Sequence, residues 1–150
     1  MPLNLPVYEF RYRQQNGKQQ VFDRLRQKFV ALTPEEWVRQ NMTEYLISDK
    51  GFPAARMGNE ISLHQNGLIR RCDSVVYSIS GEPLLIAEFK APTVAINQTV
   101  FDQIAHYVWQ LKVDFLLVSN GLNHYCCRLD YSKMEMAYLQ EIPEYKNIVM

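Results

Sequence analysis

The sequence predicts an α/β fold, in which a central mixed β-sheet is flanked by helices. Two segments, residues 33–48 and 97–111, carry apolar residues at helical spacing. A continuous apolar run at 115–118 is typical of a strand that is covered on both faces. The chain contains no internal repeat, linker or low-complexity segment, which indicates one domain over residues 1–150.

The first predicted helix has clear signals at its start. Thr33 suits the N-cap, Pro34 suits the first helical position, and Glu36 stands where a capping box needs its acid. Helical geometry places Glu35 close to the apolar stripe and turns Glu36 away from it. The predicted stripe consists of Val38, Met42, Tyr45 and Leu46.

The second predicted helix follows Pro92 and begins near Asn97. Gln103 and Tyr107 are one turn apart on it, so they fall on the same face. His106 lies away from the buried stripe and is predicted to be exposed. The stripe itself is predicted to contain Val100, Ile104, Tyr107, Val108 and Leu111.

The remaining segments have the features of strands and turns. Residues 7–23 alternate in polarity around Asn16-Gly17, which predicts a hairpin. Further strands are predicted in three stretches, at 54–69, 122–129 and 134–139. The domain is thereby divided into an N-terminal hairpin extension (1–32), a core (33–141) and a polar tail (142–150).

Three charged residues interrupt two apolar strands predicted within residues 70–91. Because side chains alternate along a strand, Glu88 and Lys90 project from one face, about 7 Å apart. If Asp73 lies across from them on the adjoining strand, two carboxylates can hold a hard cation such as Mg²⁺, and the ammonium can orient a water. The alternative is a structural set of salt bridges among the three residues.

The charged triad is part of a longer series of motifs. Asp73 is followed, after fourteen other residues, by Glu88-Phe89-Lys90. The further motifs, in order along the chain, are residues 33–40, Lys90-Ala91-Pro92, Gln103-x-x-x-Tyr107, Ser119-Asn120-Gly121 and His124-Tyr125-Cys126. This ordered set resembles the N-terminal nuclease domain of type I restriction enzyme R subunits, a branch of the PD-(D/E)xK nucleases. Cys72 stands where the family pattern has its proline.

The resemblance implies a restriction-endonuclease-like fold with a metal-dependent nuclease site. Asp73, Glu88 and the backbone carbonyl of Phe89 would bind the metal, and Lys90 would position the attacking water. Glu35 would be a further ligand from the first helix. Its alternative role is that of a favourable negative charge in a helix's first turn.

The resemblance also implies a role for the second helix. Gln103 would orient a phosphate, a water or the lysine, and Tyr107 would support it, both flanking the nuclease centre. The alternative is a core tyrosine with a neighbouring glutamine at the helix edge.

The balance of charge bears on the expected partners. Sixteen Lys and Arg residues balance sixteen Asp and Glu residues, so we expect only weak DNA affinity from this domain alone. The first 30 residues nevertheless hold a basic excess, which would give a local basic face. In the family the domain is joined to a helicase motor, so helicase or translocase modules and specificity subunits are the implied partners. A homo-oligomer through the edge of the hairpin is a further alternative.

The sequence predicts a cytoplasmic protein without a membrane segment. No apolar run approaches the roughly 18 residues that would span a bilayer, and the first ten residues lack a basic and apolar leader. Cys72, Cys126 and Cys127 lack metal-site spacing and are predicted to be buried thiols.

The favoured function is hydrolysis of DNA phosphodiester bonds with Mg²⁺, or Mn²⁺, as cofactor. The first alternative is a non-catalytic nucleic-acid-binding or assembly module that retains the nuclease fold. The second is a purely structural domain in which Asp73, Glu88 and Lys90 form only ion pairs.

Overall fold

The computed structural model of the protein describes residues 2–149, which form two β-sheets and two α-helices. The first sheet is antiparallel and N-terminal. Its strands are β1 (Tyr12–Gln15), β2 (Lys18–Asp23) and β3 (Lys28–Ala31). Asn16 and Gly17 both have positive φ, as the turn of a tight hairpin requires, so the predicted hairpin is confirmed.

The third strand of this N-terminal sheet was not predicted. The turn before it is held by Asp23, whose carboxylate accepts hydrogen bonds from the backbone N–H groups of Leu25 and Arg26. A side chain that caps a turn in this way has no periodic signal in the sequence. The N-terminal extension is therefore a three-stranded sheet rather than a lone hairpin.

Helix α1 (Pro34–Ser48) begins where the sequence predicts. The Thr33 hydroxyl accepts the backbone N–H of Glu36 at 3.0 Å, so half of the capping box is present. The other half is absent from the described helix, because the Glu36 carboxylate binds Arg26 and Arg39 instead. The prediction that Glu36 points away from the packed surface is wrong. Its side chain is only 6% exposed, because Arg26, from the turn between β2 and β3, and Arg39 pair with it.

The central sheet is mixed, as predicted. Its six strands lie in sequence order, and every neighbouring pair is antiparallel except the parallel pair formed by the third and fourth strands. The strands are β4 (Met57–Gln65), β5 (Leu68–Tyr77), β6 (Pro83–Phe89), β7 (Phe115–Ser119), β8 (His124–Asp130) and β9 (Glu135–Leu139). Helix α2 (Gln98–Leu111) forms the crossover between β6 and β7, with Asn97 as its N-cap.

The two helices cover opposite faces of the central sheet. Alternate strand residues point to opposite sides, and the sheet's buried side chains divide accordingly. Leu117 packs with Val38 and Met42 of α1, whereas Leu116 packs with Val108 of α2. Neither helix in residues 2–149 has the length and apolar composition that would let it cross a bilayer.

The C-terminal segment is not the exposed polar tail that the sequence suggests. Ile142 and Tyr145 are buried, and Tyr145 lies in the short 3-10 helix Tyr145–Asn147. Its ring packs edge-on against Phe52 with the centroids 5.3 Å apart, and its hydroxyl donates to the carbonyl of Tyr77 at 2.9 Å. Two well-placed apolar side chains thus anchor a segment whose overall composition is polar.

Candidate active site

Asp73 and Glu88 meet where the pairing of β5 with β6 ends. The last paired residues are Ser74 and Ala87. One step further, the Asp73 backbone N–H donates to Glu88 Oε2 at 3.2 Å, and the Phe89 backbone N–H donates to Asp73 Oδ2 at 2.8 Å. Asp73 therefore lies across from Glu88 on the adjoining strand. Each carboxylate takes the place of a backbone carbonyl in the ladder.

The electrostatics of this pair favour a bound cation. Glu88 is only 8% exposed. Burial, followed by the negative charge of Asp73, raises the pKa of Glu88 to about 9. Two neighbouring carboxyl groups in a buried place do not both ionise without a compensating positive charge, and a divalent cation would provide it.

Tyr107 is tied directly to the acidic pair. Its hydroxyl donates a hydrogen bond to Glu88 Oε1. The guanidinium carbon of Arg70 lies 3.9 Å from the centroid of the Tyr107 ring, a cation–π contact on the other side of the same side chain. Gln103 lies one turn earlier on α2, exposed, and none of the hydrogen bonds described for residues 2–149 involves its side chain. The structure thus joins Tyr107 to Glu88 rather than to Gln103.

Lys90 follows the last residue of β6. Its backbone N–H donates to the carbonyl of Ser119 at 2.9 Å, which fixes the chain beside β7. Its side chain is half-buried. Within the described chain Lys90 forms no salt bridge with Asp73 or Glu88. The alternative of a three-membered ion-pair set is therefore not what the fold contains.

A small polar cavity of about 160 Å³ lies beside Asp73. Glu35, in the first turn of α1, borders it and is exposed. This places the Glu35 carboxylate on the same cavity as Asp73 and Phe89, while Glu36 is engaged in ion pairs. The full lining consists of Thr33, Glu35, Glu36, Arg39, Glu60, Asp73 and Phe89.

Arg39 holds α1 against the strand that carries Asp73, a role that the sequence did not reveal. Its Nη1 donates to the backbone carbonyl of Asp73 at 3.1 Å and to Glu60 Oε1 at 2.9 Å. Its Nε donates to Glu36 Oε2, also at 2.9 Å. The spacing of Glu36 and Arg39, three residues apart on a helix, was the available signal. It predicts a surface pair as readily as this buried one.

The residues that converge here fit a hard divalent cation. The donors are the Asp73 and Glu88 carboxylates, with the Phe89 carbonyl next in the chain. No group of three or more His, Cys, Asp or Glu side chains suited to a metal occurs among residues 2–149. Mg²⁺ commonly keeps several waters and binds proteins through one or two carboxylates plus substrate phosphates, so two carboxylates are sufficient.

The fold is similar to that of a solved protein structure. The structure described as a fragment of "a putative HsdR subunit of a type I restriction enzyme from Vibrio vulnificus YJ016" matches with a TM-score of 0.56 and 19% sequence identity. The match covers 78% of this chain and 24% of that chain, so the chain spans about a quarter of its structural relative. At this identity the likeness concerns the fold.

The sequence itself assigns the family. Residues 34–143 match the model of the family described as type I restriction enzyme R protein N terminus (HSDR_N), and the chain belongs to that family. No curated protein sequence matches it significantly.

The buried network beside the cavity makes stability depend on pH. Burial alone would raise the pKa of Glu36, but hydrogen bonds from Arg39 and Gln40 outweigh it and lower the pKa below the ordinary 4.5. The carboxylate's stabilisation is therefore present above pH 4.5 and is lost as the pH falls through the folded-state pKa. Glu36→Gln should lower the free energy of unfolding by about 3 kcal/mol at pH 7.

Urea denaturation from pH 7 down to about pH 2.5 tests this, because the loss is confined to pH values below 4.5. The difference in free energy of unfolding between wild type and Glu36→Gln should become smaller as the pH falls. The exposed control Glu82→Gln should stay within about 0.5 kcal/mol of wild type. If the difference in free energy of unfolding is the same at every pH, Glu36 is not an ionised group that stabilises the fold.

Proposed function

We propose that this domain hydrolyses DNA phosphodiester bonds with Mg²⁺, or Mn²⁺, as cofactor. The observation that carries the proposal is the convergence of Asp73 and Glu88 at the end of the β5–β6 ladder, beside a polar cavity, in a member of a restriction R protein family. Paired carboxylates next to a lysine are suited to phosphodiester hydrolysis.

Asp73 and Glu88 would hold the metal, with the Phe89 carbonyl as a further ligand. Glu35 borders the cavity beside Asp73 and would be a further metal ligand or orient a metal-bound water. When bound, a divalent cation lowers the pKa of a coordinated water and offsets negative charge on the phosphate. The chain's own contribution is to keep two acids at fixed positions through backbone N–H donors.

Lys90 would orient the attacking water. Its ammonium is not engaged in a salt bridge within residues 2–149, so it is available for a water or a phosphate oxygen. Tyr107 acts as a positioning residue, because it donates to Glu88 and is itself covered by Arg70. Gln103, exposed on the same helix, would contact a phosphate or water once substrate is present.

The proposed setting is a larger restriction assembly. The structural relative is about four times as long as the matched region, and it is described as a putative subunit of a type I restriction enzyme. We propose that helicase or translocase modules and specificity subunits supply the main engagement with DNA. The chain's formal charge of zero agrees with a domain that does not hold DNA tightly by itself.

A second candidate is a non-catalytic nucleic-acid-binding or assembly module that retains the nuclease fold. It is favoured by the formal charge of zero, because proteins that hold DNA usually carry a basic excess. It predicts DNA binding that is unaffected by Mg²⁺ and no cleavage of any substrate. The nuclease predicts nicking that requires the metal.

Lys90→Ala tests the catalytic proposal. The variant should keep the thermal midpoint of wild type, because this ammonium forms no ion pair in the described part of the chain. It should reduce Mg²⁺-dependent nicking of supercoiled plasmid by about three orders of magnitude, since water activation is lost. Lys146→Ala, at a lysine whose side chain is 78% exposed, is the matched control and should nick as wild type does. Undiminished nicking by Lys90→Ala would reject this mechanism.

Tyr107→Phe tests the positioning of Glu88. Removing the hydroxyl leaves the ring and its contact with Arg70 in place but frees one carboxylate oxygen. The Mg²⁺ concentration that gives half-maximal nicking should rise about tenfold, with the rate largely restored at high Mg²⁺. The control is Tyr125→Phe, at an exposed tyrosine whose ring faces Phe101. An unchanged Mg²⁺ dependence in Tyr107→Phe would mean that its hydroxyl does not position a ligand.

A further inference from the structure

The side of the N-terminal sheet opposite to Val21 and Asp23 carries basic, amide and aromatic side chains. Directly paired residues of neighbouring strands share a side, and the observed pairs are Arg13 with Gln20, Gln15 with Lys18, and Phe22 with Phe29. We call this side the outer face. Within the described strands and the residue before β1, it consists of Arg11, Arg13, Gln15, Lys18, Gln20, Phe22, Phe29 and Ala31, with no acid among them.

The other side of the same sheet is the packed one. Val21 and Asp23 project from it and are 0% and 1% exposed. Asp23 accepts a hydrogen bond from Asn59 of the central sheet at 2.9 Å. Packing therefore fixes which side of the sheet remains open to solvent.

The two arginines of the outer face are held by uncharged partners. The Arg11 guanidinium carbon lies 4.6 Å from the centroid of the Phe22 ring, and that of Arg13 lies 4.3 Å from the centroid of Phe29. Arg13 also donates from Nε to Gln20 at 2.6 Å and from Nη2 to Gln15 at 2.8 Å. Rings and amides restrict the guanidinium groups without neutralising them.

The basic residues of the N-terminal sheet and its turns fall into two groups, those with an acidic partner and those without one among the described residues. Arg24 is paired with Glu44 at 3.0 Å, and Arg26 is paired with Asp23 and Glu36. Their charges are compensated inside the fold.

The outer-face cations belong to the other group. Across residues 2–149, no salt bridge includes Arg11, Arg13 or Lys18. Glu9 and Glu44 border a cavity beside Arg11, but neither is within ion-pair distance of it. In a chain of zero formal charge, this face concentrates uncompensated positive charge.

We propose that the outer face binds the phosphate backbone of duplex DNA, as a second contact surface apart from the candidate active site. Planar guanidinium groups that are already oriented suit phosphate oxygens, and backbone contacts give affinity without reading sequence. None of the outer-face residues borders the cavity of Asp73. Strand β3 leads to Thr33, which does border it, so a duplex lying on the outer face would run toward the acidic pair.

The test is fluorescence anisotropy with a labelled random-sequence duplex, in chelator and at several salt concentrations. Arg11→Gln/Arg13→Gln should weaken binding at least tenfold at low salt. It should also reduce the slope of log affinity against log salt by about 2, since each lost phosphate contact removes roughly 0.9. The matched control is Arg128→Gln/Lys133→Gln, which removes two exposed charges elsewhere and should stay within twofold of wild type.

A second variant, Lys18→Gln, tests the same proposal if the double variant fails to fold. No described hydrogen bond or ion pair involves the Lys18 side chain, so its replacement should leave the thermal midpoint unchanged and reduce the slope by about 1. The proposal is overturned if wild type does not bind the duplex, or if the outer-face variants bind as tightly as the control. Because the assay contains no free metal, its outcome is independent of whether Asp73 and Glu88 cleave DNA.

Discussion

The site depends on a reciprocal pair of hydrogen bonds at the end of the β5–β6 ladder. Asp73 accepts a backbone N–H from the strand of Glu88, and Glu88 accepts one from the strand of Asp73. Each bond positions an acid and satisfies a backbone donor that would otherwise be left buried. The same two bonds bring two acids together in a buried place, where burial first and then the charge of Asp73 raise the pKa of Glu88. An unfavourable electrostatic arrangement is thus built into the sheet at one point.

Buried polar contacts on both sides keep this point fixed. Arg39 ties α1 to the carbonyl of Asp73. Next along β5, the Ser74 hydroxyl donates to Asn59, whose amide in turn donates to Asp23 of the N-terminal sheet. The N-terminal sheet is therefore connected to the strand of Asp73 through side chains as well as through α1. The small extension is part of the support of the site, and its open side remains available for a ligand.

The sequence was most informative where local chemistry decides the structure. Thr33 caps α1 as predicted, α2 begins next to Asn97 as predicted, and Asn16-Gly17 forms the predicted turn. The two neighbouring strands predicted within residues 70–91 are likewise present as β5 and β6. These features depend on neighbours within a few residues or on one strand pairing, and so they are visible in the order of residues.

Features that depend on a second packed layer were missed or misjudged. Glu36 is buried against Arg39 and against Arg26 from the turn between β2 and β3, and a helical wheel cannot show a partner from another element. Tyr145 anchors the C-terminal segment through Phe52, almost a hundred positions earlier in the chain. The hydrogen bond from Tyr107 to Glu88 likewise forms only because the crossover connection packs α2 beside β6.

The central claim is that Asp73 and Glu88 form a binding site for a divalent cation. Calorimetric titration of Mn²⁺ into the wild type, Asp73→Asn and the exposed-site control Asp114→Asn tests it most directly, with metal extending into the millimolar range because two-carboxylate sites bind weakly. Saturable heat is expected for wild type and for Asp114→Asn, and none for Asp73→Asn. Equal heats in all three proteins, or no binding to the wild type, would contradict it.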